Sequence, residues 1–173
     1  GMPKGVMYRQ GDHSKGMGLS YDFRGLKRPR NKKELAKVIL SLDEKGALPV
    51  ALAACPLMHG TGIWVGAFAP LMIGGCAVTI PNISFDPDNL LQEVTKNKVT
   101  DLIIVGDAFA KPIAKALDDA LDAGKPHDIS SIGMVISSGV MWTAEVKQRM
   151  LKHHDMMLID AMGSTEGSMG RSI

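Results

Sequence analysis

Apolar runs alternate with amphipathic segments along most of this chain. Five runs of mainly consecutive apolar residues are predicted to be buried strands, at positions 48–54, 76–80, 101–105, 132–137 and 157–160. Segments with apolar residues every three or four positions are predicted to be helices, beginning at Asp86-Pro87, at Ala108 and at Thr143. Strands that alternate with helices require crossover connections. The pattern therefore predicts an α/β fold, with a mostly parallel sheet and helices on both faces.

Other segments are less regular. Residues 63–73 are apolar all round, which predicts a helix buried inside the protein. Asn31 is typical of a helix cap and precedes a short amphipathic helix over residues 32–42. Residues 11–30 are rich in glycine and charge without a period, and we expect an exposed loop there. The basic run at 27–33 is either a solvated face or a nucleic-acid contact, although nothing nearby supplies base contacts.

Length and composition limit the classes of protein that remain. The 173 residues, 45% of them hydrophobic, fit one α/β domain spanning positions 1–173. A net charge of +2 and only 5% aromatic residues give no reason to expect nucleic acid or an anionic membrane. No apolar run reaches membrane-spanning length, and the amino end does not resemble a secretory signal. We therefore expect a soluble, cytoplasmic protein, in which Cys55 and Cys76 are buried, reduced thiols.

Small and polar residues follow four of the predicted strands, at 55–62, at Gly106-Asp107, at 137–140 and at 163–166. Because the carboxyl ends of parallel strands share one edge of a sheet, we expect these loops to lie together where α/β proteins bind ligands. Gly139 and Gly163 would let the backbone approach a ligand closely.

Three acidic or histidine positions have competing interpretations. His59 either borders a ligand or is a buried histidine that bonds to the backbone. Glu166 is either a hard oxygen ligand for Mg²⁺ or a surface acid that accepts from nearby amides. The run 153–155 contains two histidines and an aspartate, but adjacent histidines point apart. A favourable interaction with the carboxyl end of the preceding helix is expected there instead.

Four of these stretches resemble motifs of the adenylate-forming acyl-CoA synthetases. GMPKGV at 1–6 resembles the end of that family's phosphate loop, and PLMHG at 56–60 resembles its acyl-pocket loop. SSGV at 137–140 resembles the adenine-side loop, and MGSTE at 162–166 resembles the Tyr-Gly-x-Thr-Glu motif. VGDA at 105–108 is similar to the branch that activates fatty acids and bulky, steroid-like acids. The motifs stand in family order and span essentially the whole chain.

This resemblance implies a subdomain of the family's large amino-terminal domain and a two-step reaction. A hydrophobic carboxylic acid attacks the α-phosphate of ATP to give an acyl-adenylate, and the thiol of coenzyme A then displaces AMP. The implied ligands are ATP or AMP, Mg²⁺, coenzyme A and the acid. The chemistry needs positioning and charge neutralisation rather than a protein nucleophile.

The resemblance also implies a role for each matching residue. The implied contacts are with the β- and γ-phosphates for Gly1, Lys4 and Gly5, with the acyl group for His59 and Gly60, with the adenine for Gly139 and Val140, with AMP for Asp160, Met162, Gly163 and Ser164, with the α-phosphate for Thr165, and with Mg²⁺ for Glu166. The catalytic residues among them would be Lys4, Thr165 and Glu166.

The chain also departs from the family pattern. Met162 stands where the family usually has an aromatic ring over the adenine, and a thioether packs there with less specificity. The start of the phosphate loop, the ribose-binding segment and the mobile carboxyl-terminal domain have no counterpart in the sequence. We therefore expect a middle portion of an acyl-CoA synthetase that is inactive alone, with Gly1 either native or an expression remnant.

Two other classes of function compete with this interpretation. A non-catalytic α/β module for binding or assembly would account for the short chain, but it has no need of Lys4, His59, Thr165 and Glu166 together. A dehydrogenase domain would need a glycine-rich dinucleotide turn after its first strand, which the sequence lacks. The identity of the acid and the possibility of a homo-oligomer stay open.

Overall fold

A computed structural model describes residues 5–81, 84–164 and 167–172 of the chain. It contains a six-stranded sheet in the order β2-β1-β3-β4-β5-β6. The strands are β1 (Val50–Ala53), β2 (Cys76–Val78), β3 (Asp101–Ile104), β4 (Met134–Ser138), β5 (Met157–Ser164) and β6 (Gly167–Ser172). The first five are parallel to their neighbours, whereas β6 is antiparallel to β5. The predicted α/β class, with a mostly parallel sheet, is confirmed.

Helices connect the parallel strands and also precede them. They are α1 (Gln10–Gly16), α2 (Leu19–Phe23), α3 (Lys32–Glu44), a π-helix (Thr61–Phe68) continued by α4 (Ala69–Leu71), α5 (Pro87–Asn97), α6 (Gly106–Asp122) and α7 (Ala144–Leu151). The predicted cap of α3 is confirmed, and α5 begins at Asp86-Pro87 as predicted. The side chain of Asn31 accepts from the amides of Lys33 and Glu34, both at 3.0 Å. That of Asp86 accepts from the first turn of α5.

One face of the sheet carries the larger apolar core. Leu52, Leu102 and Val135 occupy central strands and pack with apolar residues of α5, α6 and α7. Because side chains alternate along a strand, their neighbours Ala51 and Ile103 point to the opposite face, where they contact Val65 of the π-helix. Helices therefore cover both faces, as the sequence pattern predicts.

The π-helix lies against β1 and β3 at close range. A Cβ placed on Gly66 would come within 2.7 Å of the Ala53 Cβ, so only glycine permits this separation. The opposite side of the helical segment is not covered, since Phe68 is 42% exposed and Leu71 53% exposed. The expectation of a helix buried all round is therefore wrong. The apolar residues of this helical segment pack against the core on one side, and on the other side they line a cleft or lie at the surface.

Residues 11–30 also differ from the sequence prediction, because they contain α1 and α2 rather than an irregular exposed loop. Long-range contacts hold this segment. Tyr21 is buried, and its hydroxyl donates to the Met72 carbonyl at 3.2 Å. Arg24 forms an ion pair with Asp101 at the start of β3. Neither contact is visible as a local pattern, because their partners are separated in sequence by 51 and 77 positions.

The strand predicted at 157–160 is longer than expected. β5 continues to Ser164 and pairs with β6, which the sequence does not predict. Gly163 and Ser164 were expected in a turn, but they pair with Ser168 and Gly167 of β6. Within the described part of the chain, no helix combines the length and apolar character needed to cross a membrane.

The two cysteines have different environments. Cys55 is buried, as predicted, and burial raises the pKa of its thiol to about 11. Cys76 is exposed, so the expectation that it is buried is wrong. It begins β2, which is an edge strand of the sheet and leaves the first side chain open to solvent.

We expect alkylation of the native protein by iodoacetamide at pH 8 to modify Cys76 and largely spare Cys55. At that pH a thiol with a pKa of about 11 is only about one part in a thousand thiolate, the reactive form. Peptide mapping by mass spectrometry after brief exposure gives the site. In urea both thiols should react, and equal labelling of both in the native protein would contradict the observed burial.

Candidate functional site

The loops singled out in the sequence lie at one edge of the sheet. Parallel pairing brings the carboxyl ends of β1, β3, β4 and β5 to the same side. The π-helix begins at this edge, directly after the loop that follows β1. The expected clustering is therefore confirmed for the loops at 55–62, 106–107 and 137–140.

A buried hydrogen bond joins two of these loops. The Ser137 hydroxyl at the end of β4 is fully buried and accepts from the Gly106 amide at 2.9 Å. Gly106 has φ +51°, and a Cβ there would lie 2.4 Å from the Met141 carbonyl oxygen. The turn after β3 consequently packs directly under the loop after β4, and glycine is the residue that permits both its conformation and its closeness.

Asp107, the residue after Gly106, also fixes the loop that follows β4, at the end where α7 begins. Asp107 accepts from the Thr143 amide at 2.9 Å and from the Thr143 hydroxyl, and Lys111 lies 3.2 Å from its other oxygen. Slight burial acts to raise the pKa of Asp107, but these partners outweigh it and the pKa is lowered. Asp107 stays ionised at neutral pH and holds residues 139–143 in place as α7 begins.

A cleft of about 510 Å³ opens beside these loops, on the face of the sheet that carries the π-helix. Its floor is formed by the sheet and includes Ile136, and one wall is formed by Trp64 and Val65. The other wall belongs to α1 and α2, from which His13 and Met17 border the space. The volume falls in the range of about 300–1,000 Å³ typical of small-molecule sites, and its surroundings are mainly apolar.

The mouth of this cleft contains residues named in the sequence analysis. Gly60, Met162 and Gly163 border it, together with Ser138 and Ala161. Met162 is 61% exposed, so its thioether is available to a ligand at the edge of the sheet. The structure thus brings the predicted acyl-side loop and the predicted nucleotide-side strand to one opening.

Other predicted site residues lie beside the cleft rather than in it. His59 is exposed, so its interpretation as a buried histidine is wrong. Gly139 and Val140 are exposed at the same edge. Asp160 points to the other face of the sheet, where it pairs with Lys147 of α7. Its predicted contact with AMP would therefore have to come from that side of β5.

Several predicted residues fall outside the described part of the chain: Gly1, Lys4, Thr165 and Glu166. Gly5 is exposed in the irregular segment that precedes α1, and the backbone of Ser164 ends β5. The phosphate and metal roles of these residues stay predictions.

No group of three or more His, Cys, Asp or Glu side chains that could hold a metal occurs among the described residues. His153 does not form a metal cluster with its neighbours. Its Nε2 lies 2.6 Å from Asp118, which also accepts from Arg149 at 2.5 Å. The contact with His153, followed by that with Arg149, lowers the pKa of Asp118. These charges join α6 to the end of α7, and the Nε2 of His154 lies 3.1 Å from the Ile132 carbonyl oxygen. The expected interaction of the histidines with the end of their own helix stays a prediction.

Comparison with known proteins places the chain in a family. The family described as AMP-binding enzyme matches residues 1–172. The chain belongs to the AMP-binding enzyme family.

Relatives in this family include two bacterial ligases. The medium/long-chain-fatty-acid–CoA/3-oxocholest-4-en-26-oate–CoA ligase of Mycolicibacterium smegmatis is 30% identical over 98% of this chain and 30% of its own length. The 3-oxocholest-4-en-26-oate–CoA ligase of Rhodococcus rhodochrous is 29% identical over 98% of this chain and 30% of its own. The chain therefore spans less than a third of these relatives.

Solved structures share the fold at low sequence identity. The fatty acid AMP ligase from Legionella pneumophila superposes with a TM-score of 0.71 at 16% identity, covering 95% of this chain and 26% of that one. The McyG A-PCP protein, complexed with phenylalanyl-adenylate, gives a TM-score of 0.75 at 15% identity, covering 99% and 25%. These likenesses show that this chain shares the fold of the matching part of those proteins.

The structure of this AMP-binding enzyme chain also identifies residues that sequence reasoning missed. The sequence places Ser137 in a ligand loop, whereas in the structure its hydroxyl oxygen accepts a hydrogen bond from the Gly106 amide. Trp64 lay in a segment expected to be buried all round, yet it borders the cleft. Arg24 and Asp101 line the cleft and form an ion pair at the start of β3. Of these residues, only Asp101 could have been singled out from the sequence, because it is a charged residue at the start of an otherwise apolar strand.

We expect Ser137→Ala to lower the free energy of unfolding by about 1–3 kcal/mol, because the Gly106 amide would lose its buried acceptor. Denaturant unfolding followed by circular dichroism measures this loss. Ser14→Ala, at an exposed position of α1, is the matched control and should change stability by less than about 0.5 kcal/mol. Equal stability of both variants would show that this bond does not hold the edge together.

Proposed function

We propose that this chain forms the acid-binding and nucleotide-binding part of an acyl-CoA synthetase. In this proposal a hydrophobic carboxylic acid occupies the cleft with its carboxylate at the mouth. AMP, or the corresponding part of ATP, lies along the carboxyl edge beside Gly139, Val140, Met162 and Gly163. The thiol of coenzyme A then accepts the acyl group from the adenylate, and the overall product is an acyl thioester.

The observation that carries this proposal is the position of the cleft relative to the edge. A mainly apolar space of about 510 Å³ opens between Gly60 on one side and Met162 and Gly163 on the other. An acid that enters the space tail first would therefore hold its carboxylate next to the MGSTE stretch. This is the arrangement that attack of a carboxylate on an α-phosphate needs, because the two reacting groups must be held within a few ångströms of each other.

The class of acid follows from the walls and from the relatives. Trp64, Val65 and Ile136 offer apolar contacts along the length of the cleft. The names of the relatives specify medium- and long-chain fatty acids and a steroid acid. A large hydrophobic acid, fatty or steroid-like, is therefore the proposed substrate.

Fixed donors and charges, rather than a nucleophilic side chain, would support adenylate formation. Lys4 with Gly1 and Gly5 would hold the outer phosphates, Thr165 would contact the α-phosphate, and the backbone of Ser164 would lie beside it. Pre-positioned groups of this kind stabilise charge that develops on phosphate oxygens.

Glu166 is the proposed protein ligand for magnesium. Mg²⁺ usually takes one or two carboxylates from a protein and completes its shell with phosphate oxygens and water, so a single glutamate fits the chemistry of such a site. When bound, the ion would neutralise phosphate charge during adenylate formation. The chain's own contribution would be to hold one carboxylate at the end of the strand that also borders the cleft.

A substitution in the inner half of the cleft tests the proposed acyl site. The π-helix begins at the carboxyl edge, so Ala69, which follows it and lines the cleft, lies far from the mouth. We expect Ala69→Phe to weaken binding of a hexadecanoyl sulfamoyl-adenosine analogue at least tenfold, or about 1.4 kcal/mol, because the ring occupies space needed by the tail. Isothermal titration calorimetry measures both affinities.

The matched control is the acetyl analogue, whose short acyl group does not reach Ala69. Its affinity should be the same in both proteins. Equal weakening of both analogues would indicate general damage to the fold, and unchanged binding of the long analogue would contradict placement of the acyl chain in the cleft.

Glu166→Gln tests the proposed metal ligand. We expect the chain to bind ATP more tightly with Mg²⁺ than without it, and this difference to disappear in Glu166→Gln, because the amide keeps the size but loses the charge. Titration calorimetry with and without Mg²⁺ measures the effect. Glu145→Gln, in the first turn of α7, is the control and should retain the dependence. A Mg²⁺ dependence that survives in Glu166→Gln would remove this residue from the metal site.

A further inference from the structure

A cluster of one lysine, one aspartate and one tryptophan lies on the face of β5 opposite to the cleft. Lys147 of α7 forms an ion pair with Asp160 of β5. The ammonium of Lys147 also lies 5.1 Å from the centre of the Trp142 ring. The cluster therefore joins α7, the loop after β4 and the strand that continues to the mouth of the cleft.

Trp142 gives Lys147 a rigid support. The Trp142 side chain is only 4% exposed and packs in the larger apolar core. The next residue, Thr143, is held by Asp107 through its amide and its hydroxyl. An ammonium is attracted to the face of an indole ring, and this attraction grows when the pair is shielded from water. Lys147 is therefore held by the core on one side while it contacts Asp160 on the other.

One carboxylate oxygen of Asp160 remains available. Among the described residues, Lys147 contacts Oδ2 of Asp160, and no hydrogen bond reaches Oδ1. The Asp160 side chain is 33% exposed. An ionised carboxylate only accepts hydrogen bonds. Asp160 is thus positioned to accept from a donor that does not belong to the described part of the chain.

The register of the sheet places this oxygen beside the proposed position of the nucleotide. Asp160 is level with Ser137, the last residue but one of β4, and the loop at 139–143 follows directly. Asp160 and Met162 are two residues apart on β5, so their side chains project to the same face, roughly 6.6 Å apart along the strand. A base that lies between this loop and the Met162 thioether would therefore present one edge to Asp160.

The two charged members of the cluster would recognise opposite groups on a purine. A carboxylate accepts from a 6-amino group, whereas it repels the oxygen of a 6-oxo purine. An ammonium, which only donates, would do the reverse. The member that faces the base therefore decides which purine is accepted. Because Lys147 is engaged by the Trp142 ring and by Oδ2, Asp160 is the member that faces outward.

Stability alone gives a weak reason for the ion pair. Lys147 is 25% exposed and Asp160 33% exposed. Pairs with this degree of exposure contribute little to the free energy of folding, because water screens the charges and two side chains lose freedom. A fixed orientation of Asp160 is a consequence of the pair that does not depend on its contribution to stability.

We propose that Lys147 is a positioning residue for the nucleotide. It holds Asp160 so that Oδ1 accepts from the 6-amino group of the purine, and it thereby sets a preference for a 6-amino over a 6-oxo purine. This inference rests on the proposed function, since it requires a nucleotide along the carboxyl edge. The resemblance to the family implies a contact between Asp160 and AMP, but it assigns no role to Lys147.

Two ligands that differ in the purine test the inference: the hexadecanoyl sulfamoyl derivatives of adenosine and of inosine. We expect the chain to bind the adenosine derivative at least tenfold more tightly by titration calorimetry. In Lys147→Met this ratio should fall below threefold, because Asp160 can then turn away from the base. Lys147→Arg should keep a ratio of at least fivefold, because a guanidinium also pairs with a carboxylate and lies on aromatic rings.

A double-mutant cycle shows whether Lys147 acts through Asp160. Asp160→Asn alone should lower the ratio below threefold, because an amide offers a donor as well as an acceptor. Addition of Lys147→Met to this variant should then change the ratio no further. Lys152→Met, at an exposed position just after α7, is the matched control and should leave the ratio unchanged. A purely structural Lys147 would alter denaturant unfolding and leave the ratio as it was.

NMR spectra separate this inference from the proposed function. Both derivatives should shift the indole N–H of Trp64, which borders the cleft. If neither does, the acyl group does not occupy the cleft, and both proposals are overturned. If both shift Trp64 but bind equally, only the recognition of the purine is overturned.

The variants decide the role of Lys147 itself. A tenfold ratio that persists in folded Lys147→Met, or that falls equally in Lys152→Met, would overturn it. Should Lys147→Met fail to fold by circular dichroism, Lys147→Gln removes the charge with a polar side chain, and the same limits on the ratio apply to it.

Discussion

Parallel pairing of the central strands is the constraint on which the rest of this structure depends. It requires a crossover connection, here helical, between parallel strands that follow one another in the chain. It also places the carboxyl ends of β1, β3, β4 and β5 on one side. Backbone at such an edge is free for ligands or for loop-to-loop bonds. Here the Ser137–Gly106 and Asp107–Thr143 bonds fix the loops, and the strand that follows remains available at Met162 and Gly163.

The cleft arises because the two faces of the sheet are covered unequally. Three long helices bury one face, whereas the other carries a π-helix that sits close to β1 because of Gly66. Part of this face, around Ile136, is consequently left as the floor of a cavity rather than as core. The α1–α2 segment supplies the opposite wall, where Tyr8 meets Trp64 edge to face with ring centroids 5.6 Å apart. The volume of the cavity therefore depends on contacts between segments that are distant in sequence.

The parts of the fold that could be predicted from the sequence are those set by local periodicity. The five parallel strands and the helices α5, α6 and α7 follow from apolar spacing, and the cap at Asn31 follows from a side chain that accepts amide hydrogens. Residues 11–30 could not be predicted in this way, because Tyr21 and Arg24 are held by partners more than fifty positions away. β6 could not be predicted for a related reason. Its small residues have no strand-like apolar pattern, and they belong to the sheet because they pair with β5.

The candidate site also has one part that local sequence patterns predict and one part that they do not. Its mouth could be predicted, since loops after parallel strands must meet and their glycines and polar residues are visible in the sequence. Its depth and its polar end could not, because they depend on α2 reaching the start of β3 through one buried ion pair. Such a pair is weak evidence of stabilisation, since desolvation of two charges offsets most of their attraction. An apolar contact would attach α2 equally well. The ion pair therefore matters more for the polar character that it gives to this end of the cleft than for the stability of the fold.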